Sequence, residues 1–198
     1  MNHTDEYGRA EVAIGRENWI AAALQALRTG GTEAVTLDAL AASLSVTKGS
    51  FYWHFSGRDE LLEELLQHWE AETEALVSAA MNEPKPLGRV LAFFELVASH
   101  RGDIPDAAFF AWARRDPAVA RRVDVVESVR TELIRDQLIE AGLDHDVARQ
   151  RAEAGYLATA GWIERASRSN HAQSTSDFRR FADQLFRWLL EGIPVWIP

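Results

Sequence analysis

The sequence predicts an all-α protein, and three observations carry that prediction. Apolar residues recur with a period near 3.6 through nearly every segment, no run alternates polar and apolar residues as a half-buried strand would, and the breaks fall at glycine, proline or capping residues. About nine helices are expected. They divide into an N-terminal three-helix bundle (residues 1–57) and a larger C-terminal helical domain (residues 58–198) that opens with a connecting helix over 58–81.

Each element has its own signal. Trp19, Ile20, Ala23, Leu24 and Leu27 form an apolar stripe expected to stop at Gly30 and Gly31. Thr36 is placed to cap a short second helix with Leu37, Leu40, Ala41 and Leu44 on one face, and Ser45 and Val46 follow as a tight corner. Thr47 opens a third helix. Ser56, followed three places on by Asp59, is a near match to a capping box, and Leu61, Leu62, Leu65, Leu66, Trp69 and Leu76 stripe a long fourth helix. Pro84 and Pro86 interrupt the chain, and helices are expected again near 87–100 and 106–115. Asp116 and Pro117 read as the N-cap and first-turn pair of a helix ending near Ala141 and Gly142. Two further helices, near 146–167 and 177–190, flank the polar stretch RSNHAQSTS, which reads as a loop. In the tail IPVWIP, Pro194 and Pro198 forbid a helix, so Val195 and Trp196 are expected to dock on their own domain or on a partner.

Composition narrows the functions available. With 198 residues, 47% of them hydrophobic, the chain can bury a sizeable core, and without cysteine it has no disulfide, thiolate metal ligand or thiol nucleophile. The N-terminal stretch MNHTDEYGRAEVAIGREN lacks the basic start and apolar run of a secretion signal, and no segment approaches ~18 uninterrupted apolar residues. A cytoplasmic protein without a membrane partner is the expectation. A net charge of −9 argues against coating nucleic acid by charge alone, so any polyanion contact must be local. Nineteen of the 21 basic residues are arginine, which grips carboxylate or phosphate with two bonds and stacks on rings.

The densest local feature is VTKGSFYWHF, Val46 to Phe55. Together with Thr36 to Leu44 it has the spacing of a helix-turn-helix, whose second helix lies in the major groove of DNA with its N-terminal residues against bases and phosphates. That end should be small, polar and cationic, as Thr47, Lys48, Gly49 and Ser50 are. Phe51 and Phe55, four apart, share a face that packs on the second helix, leaving Tyr52, Trp53 and His54 nearer the other side. Thr36 and Thr47 can cap their helices and donate to phosphate. Lys48 offers a point charge, Gly49 a close backbone approach, Ser50 a bond to base or phosphate, and Tyr52 and His54 further donors. Trp53 can touch a thymine methyl. Arg58, in the first turn of the fourth helix, opposes that helix's dipole and is a candidate phosphate clamp.

These residues resemble the tetracycline-repressor (TetR) family of bacterial transcriptional regulators. The similarity lies in Thr36 to Ala41, in Val46 to Phe55, and in the acidic-leucine start Asp59-Glu60-Leu61-Leu62, and it covers about Arg16 to Leu66. The resemblance implies a homodimer that binds palindromic operator DNA through the N-terminal domain, most often as a repressor, and releases it when a small-molecule effector enters the C-terminal domain. It also implies DNA contacts at Thr36, Thr47, Lys48, Ser50, Tyr52, His54 and Arg58. One departure is electrostatic: up to Arg58 the chain has five basic residues against six acidic ones, so binding would lean on a few well-placed donors and on doubling in a dimer.

For an effector cavity the sequence offers Phe93, Phe94, Phe109, Phe110, Trp112, Tyr156 and Trp162 as walls, with His100, Arg114 and Arg115 as polar handles. For dimerisation, the family's use of the last two helices points to Gly155, Ala158, Thr159 and Trp162 on one and to Phe181, Leu185 and Trp188 on the other. An all-helical enzyme or a ligand carrier with a non-functional helix-turn-helix is the rival reading. Against an enzyme, no phosphate loop, dinucleotide fingerprint, nucleophile elbow or zinc-protease motif is present, and no catalytic residue, cofactor or metal site is expected.

Overall fold

The computed structural model describes residues 14–100, 106–168 and 175–191, which form nine helices with no strand among them. α1 (Arg16–Ala34), α2 (Leu37–Leu44) and α3 (Lys48–Phe51) form a head; α4 (Arg58–Ala80) leads out of it. α5 (Pro86–His100), α6 (Asp106–Ala113), α7 (Pro117–Glu140), α8 (His145–Arg168) and α9 (Thr175–Leu189) complete the chain. The expected loop beyond Arg168 and the tail with Val195 and Trp196 fall largely or wholly outside the described residues.

Local chemistry explains most boundaries. Asp116 caps α7 by accepting the N–H groups of Ala118 (2.8 Å) and Val119 (3.4 Å), with Pro117 in the first turn. The same helix stops at Gly142 (φ 100°), where the Leu143 N–H reaches back to the Leu138 carbonyl at 3.1 Å. α8 starts a residue earlier than expected, because Asp144 accepts the N–H of Asp146 at 2.9 Å.

Three expectations are corrected. Gly30 and Gly31 kink α1 instead of ending it: Gly31 takes φ 68°, and the helical turn resumes to Ala34. At α4 the cap residue is Gly57, and the Ser56 N–H is satisfied from inside the helix by Glu60 at 2.7 Å, so Asp59 has no part in a box. Thr47 caps α3 in position but makes no side-chain cap bond, and α3 is only four residues long before it relaxes into turns.

Two apolar clusters hold these helices. One joins α1, α2, α3 and the first half of α4 through Trp19, Leu27, Phe51, Phe55, Leu61 and Trp69, and extends to Phe109 of α6 and to Val119, Val123 and Val126 of α7. The other joins the second half of α4 to α5, α7, α8 and α9 through Leu76, Val90, Phe94, Ile134, Trp162 and Phe178. The 23 residues of α4, about 34 Å at 1.5 Å per residue, therefore run through both clusters. Arg122 of α7 fastens its first half, with two bonds to Glu70 (2.5 and 2.6 Å) and two to Glu63 (both 2.7 Å), a fork-to-carboxylate geometry seven residues apart on one helix face.

Candidate nucleic-acid interface and ligand cavity

Thr36 opens the helix-turn-helix by accepting the Ala39 N–H at 3.3 Å, which leaves its own hydroxyl proton available. α2 then ends on Ser45 in the left-handed region (φ 56°), with the Val46 N–H bonded to the Ala41 carbonyl at 3.0 Å. That turn delivers Thr47 and α3. Phe51 is fully buried and Phe55 nearly so; their rings stack 5.1 Å apart, and Trp19 meets Phe51 edge-on at 5.2 Å. The short helix is thereby held by its rings, since a single turn has little stability of its own.

The opposite side faces outward. Thr36, Thr47, Lys48, Gly49, Tyr52 and Trp53 are exposed, Trp53 to 87% and Tyr52 to 61%, and Ser50 is half-buried. Ser50 Oγ donates to the Thr47 carbonyl at 2.9 Å, and Lys48 forms an ion pair with Asp38 of α2. Gly49 has room for a side chain: a Cβ there would meet Thr47 Oγ1 at 3.6 Å, ordinary contact, so nothing within the subunit demands glycine.

Two members of the sequence-derived set are occupied elsewhere. Arg58 donates from Nε to the Val35 carbonyl (2.7 Å) and from Nη2 to the Thr32 carbonyl (2.5 Å), closing the end of α1. Those bonds supply a structural reason for its unfavourable place at the start of α4. His54 Nε2 donates to the Ile14 carbonyl at 3.0 Å, tying the chain before α1 to the end of the α3 turn. Sequence reasoning missed Arg16, which lies 4.2 Å over the Phe55 ring, bonds the His54 carbonyl, and pairs with Glu64 at 2.6 Å and Glu60 at 3.4 Å. Its guanidinium is held more basic than usual, first by the Glu64 hydrogen bond. A lone arginine near the chain start carries no local pattern that would disclose this.

The aromatic residues proposed as cavity walls are mostly core. Phe93, Phe94, Phe110 and Tyr156 line, with Arg130 and Thr159, a void of only about 10 Å³, room for one water at most. Phe109 stacks on Trp69 at 4.6 Å and Trp112 on Phe109 at 6.4 Å, while Trp162 packs on Phe178 at 5.0 Å. The His100 side chain lies outside the described residues. The larger cavity, about 640 Å³, is bounded instead by Leu27, Arg28 and Gly31 of α1, Leu76 of α4, Val97 of α5, α6, Arg130, and the end of α8. Its room comes from Ala107, Ala108 and Ala111, small residues of α6.

At the floor of that cavity is a buried charge pair. Arg130 of α7 bonds both oxygens of Asp106 (3.1 Å each) and Thr73 Oγ1 (2.9 Å), and the Trp69 indole N–H donates to Asp106 at 2.6 Å. Burial by itself would lower the pKa of Arg130, but the Asp106 charge and hydrogen bonds outweigh it and hold the pKa above the ordinary value. Arg130 Nε is buried without a partner. One carboxylate thus links α4, α6 and α7 beside the cavity.

The faces proposed for dimerisation are largely used within the subunit. Gly155 abuts Leu189, Thr159 bonds the Gly155 carbonyl at 2.9 Å, and Trp162 and Leu185 are buried between α8 and α9. Ala158 and Phe181 are half-buried, and Trp188 is 46% exposed. Leu157, not singled out from the sequence, is 60% exposed on the outer face of α8.

Residues 20–65 match the family model of bacterial regulatory proteins, tetR family. The head is thus similar to the N-terminal domain of TetR-family regulators. Over 57 residues, 29% of the chain, it is 40% identical to two HTH-type transcriptional regulators of Pseudomonas putida, SrpR and TtgW, the latter itself uncharacterised. The chain spans 27% and 42% of the length of these two relatives. Its whole fold is TetR-like: a transcriptional regulator from Rhodococcus sp. superposes with TM-score 0.74 at 20% identity, covering 93% of this chain and 100% of that one. Bacillus subtilis FadR, in complex with stearoyl-CoA, superposes with TM-score 0.64 at 16% identity, covering 90% and 100%. Among the described residues no helix is long and apolar enough to cross a membrane.

Proposed function

We propose that this TetR-type chain is a ligand-responsive repressor that binds palindromic operator DNA as a homodimer in the cytoplasm and leaves it when a small-molecule effector binds. Residues 1–57 serve as the reading head and residues 58–198 as the sensor. The observation that carries this reading is the tip of α3, where Thr47, Lys48, Gly49, Tyr52 and Trp53 face outward from a buried pair of phenyl rings. A convex, exposed, polar and aromatic tip of this size suits a major groove. Lys48 and the Thr36 hydroxyl contact phosphate, and Ser50, Tyr52 and Trp53 meet base edges or sugar. His54, Arg16 and Arg58 position the tip.

The dimer forms through the outer faces of α8 and α9, where Leu157 and Trp188 are exposed and Gly161 has open space above it. An effector cavity is supported by the 640 Å³ space and by the bound stearoyl-CoA of the similarly folded FadR. Effector entry acts on the Asp106–Arg130 pair, and Trp69 transmits the disturbance to α4, which alters the separation of the two heads. Selection of bound fragments from random duplex DNA tests the function. A symmetric consensus with half-sites about one helical turn apart, ~34–36 Å, is expected, and the absence of any selected sequence refutes it.

A further inference from the structure

Among the described residues two buried side-chain polar atoms have no hydrogen-bond partner, Trp19 Nε1 in the head and Arg130 Nε in the sensor. The second stands beside a cavity. Arg130 is 4% exposed and borders both the cavity of about 640 Å³ and the void of about 10 Å³, which also share Val97 and Ile163, so its side chain belongs to the partition between them. Its Nη1 and Nη2 donate to Asp106 and Thr73, while the Nε–H has no acceptor, a cost that a bound acceptor would recover. The charge, in contrast, is already answered. Asp106 lies with both oxygens against Arg130, so the pair is neutral as a unit, and a second anion placed there would be repelled by a carboxylate across a water-poor wall. The other arginines of the cavity, Arg28, Arg114 and Arg168, are exposed, with Arg28 bonded to Gln25 and Arg114 paired with Glu164, so water screens them. The wall from Leu27, Leu76, Val97, Ala107, Ala111 and Ile163 is apolar, and the volume falls within the ~300–1,000 Å³ of small-molecule sites.

We propose that this cavity takes a neutral, largely apolar molecule carrying a carbonyl-type acceptor, whose oxygen accepts from Arg130 Nε and whose body lies along the alanines of α6. A hydrocarbon of the same shape leaves the Nε–H unanswered, and a carboxylate of the same shape is repelled by Asp106. The site therefore selects by difference, with the orphan donor favouring an acceptor and the standing carboxylate rejecting a charged one. The ligand touches the residue that ties α7 to Asp106 of α6 and Thr73 of α4. The site deepens the effector reading above by naming the effector's chemistry, and depends on that reading for its regulatory consequence only.

Acetophenone, α-methylstyrene and benzoate share one planar skeleton and differ at one branch, which carries a neutral acceptor, no acceptor or a charged one. Titration of the full chain without DNA compares them, read by calorimetry and by the Arg130 Nε–H signal in proton–nitrogen correlation spectra, assigned by its loss in Arg130→Lys. Acetophenone is expected to bind about tenfold tighter than either of the others and to shift that signal. Arg130→Lys keeps a charge opposite Asp106 but has no Nε, and should reduce acetophenone to the affinity of α-methylstyrene. Ala111→Leu fills the cavity at a half-buried position with Arg130 intact, and should weaken both neutral probes by about tenfold or more while helicity by circular dichroism stays unchanged. Benzoate or α-methylstyrene binding as tightly as acetophenone, acetophenone binding weaker than about 1 mM, an unmoved Arg130 signal at saturation, or wild-type acetophenone affinity in Ala111→Leu overturns the proposal. The regulator reading fails separately: acetophenone binding with no DNA sequence selected removes that reading and leaves the site, and a selected consensus with no preference for the ketone removes the site alone.

Discussion

Gly49→Ala is the substitution for which the needs of the isolated fold and those of a DNA complex point in opposite directions. Gly49 is the second residue of α3, and an added Cβ would meet only Thr47 Oγ1, at 3.6 Å. Alanine is the better helix former by up to about 1 kcal/mol, so the variant should be as stable as the parent or slightly more so, raising Tm by at most about 2–4 °C. In a complex, the same methyl would stand on the surface that α3 presents to the groove. Forcing a methyl into a packed interface costs about 1–3 kcal/mol, incurred once per head, and each 1.4 kcal/mol is tenfold in affinity. Thermal unfolding and fluorescence anisotropy on a selected operator measure the two effects side by side. Wild-type operator affinity in a Gly49→Ala protein that is folded and dimeric would refute the groove-facing placement of α3.

Other perturbations test separate links. Asp38→Asn removes the acidic partner of Lys48, an exposed pair worth at most about 1 kcal/mol to the fold, and should leave Tm nearly unchanged while tightening DNA binding several-fold at low salt; weaker binding would contradict the assigned role of Lys48. Asp106→Ala leaves Arg130 buried without its counter-charge and should destabilise by about 3–5 kcal/mol in urea unfolding, with the Asp106→Ala, Arg130→Met double variant losing clearly less than the two single losses combined. Glu60 is held below its ordinary pKa of 4.5, first by the Ser56 N–H. Its contribution is therefore present above that value and lost as pH falls through the lower folded value. Glu60→Gln should lower Tm at neutral pH, with the difference closing below pH 4.5; a constant difference would dissociate it from titration. Leu157→Asp with Trp188→Asp should yield a monomer in analytical ultracentrifugation with its helicity intact, and an unchanged dimer would move the interface elsewhere.

What was legible in the sequence was what acts over a few residues. Asp116 with Pro117, the end at Gly142 and the stripe of α4 are local, and each set its element to within a residue or two, whereas the stripe of α1 placed the helix but not its end. So was the division of VTKGSFYWHF into two buried rings and an exposed tip, because four-residue spacing fixes a helix face. Contacts distant in sequence were not legible. Arg58 and Arg16 act across 23 to 48 residues on carbonyls and carboxylates that no spacing rule connects to them. The aromatic list mistook large side chains for cavity walls, although a large ring more often fills space than encloses it, and the room comes from the alanines of α6. Gly155 and Thr159 do form a small-residue face, but the chain covers it with its own Leu189 before any partner can.

Methylation interference on the selected operator gives the most direct measurement of where α3 sits, since the methyl group added at guanine N7 projects into the major groove. Two patches of interference, centred about 10–10.5 base pairs apart and lost in parallel when Trp53 and Lys48 are replaced by alanine, are the predicted result. Interference confined to minor-groove positions, or a single patch without its symmetric mate, would contradict the placement of a paired α3 tip in successive major grooves.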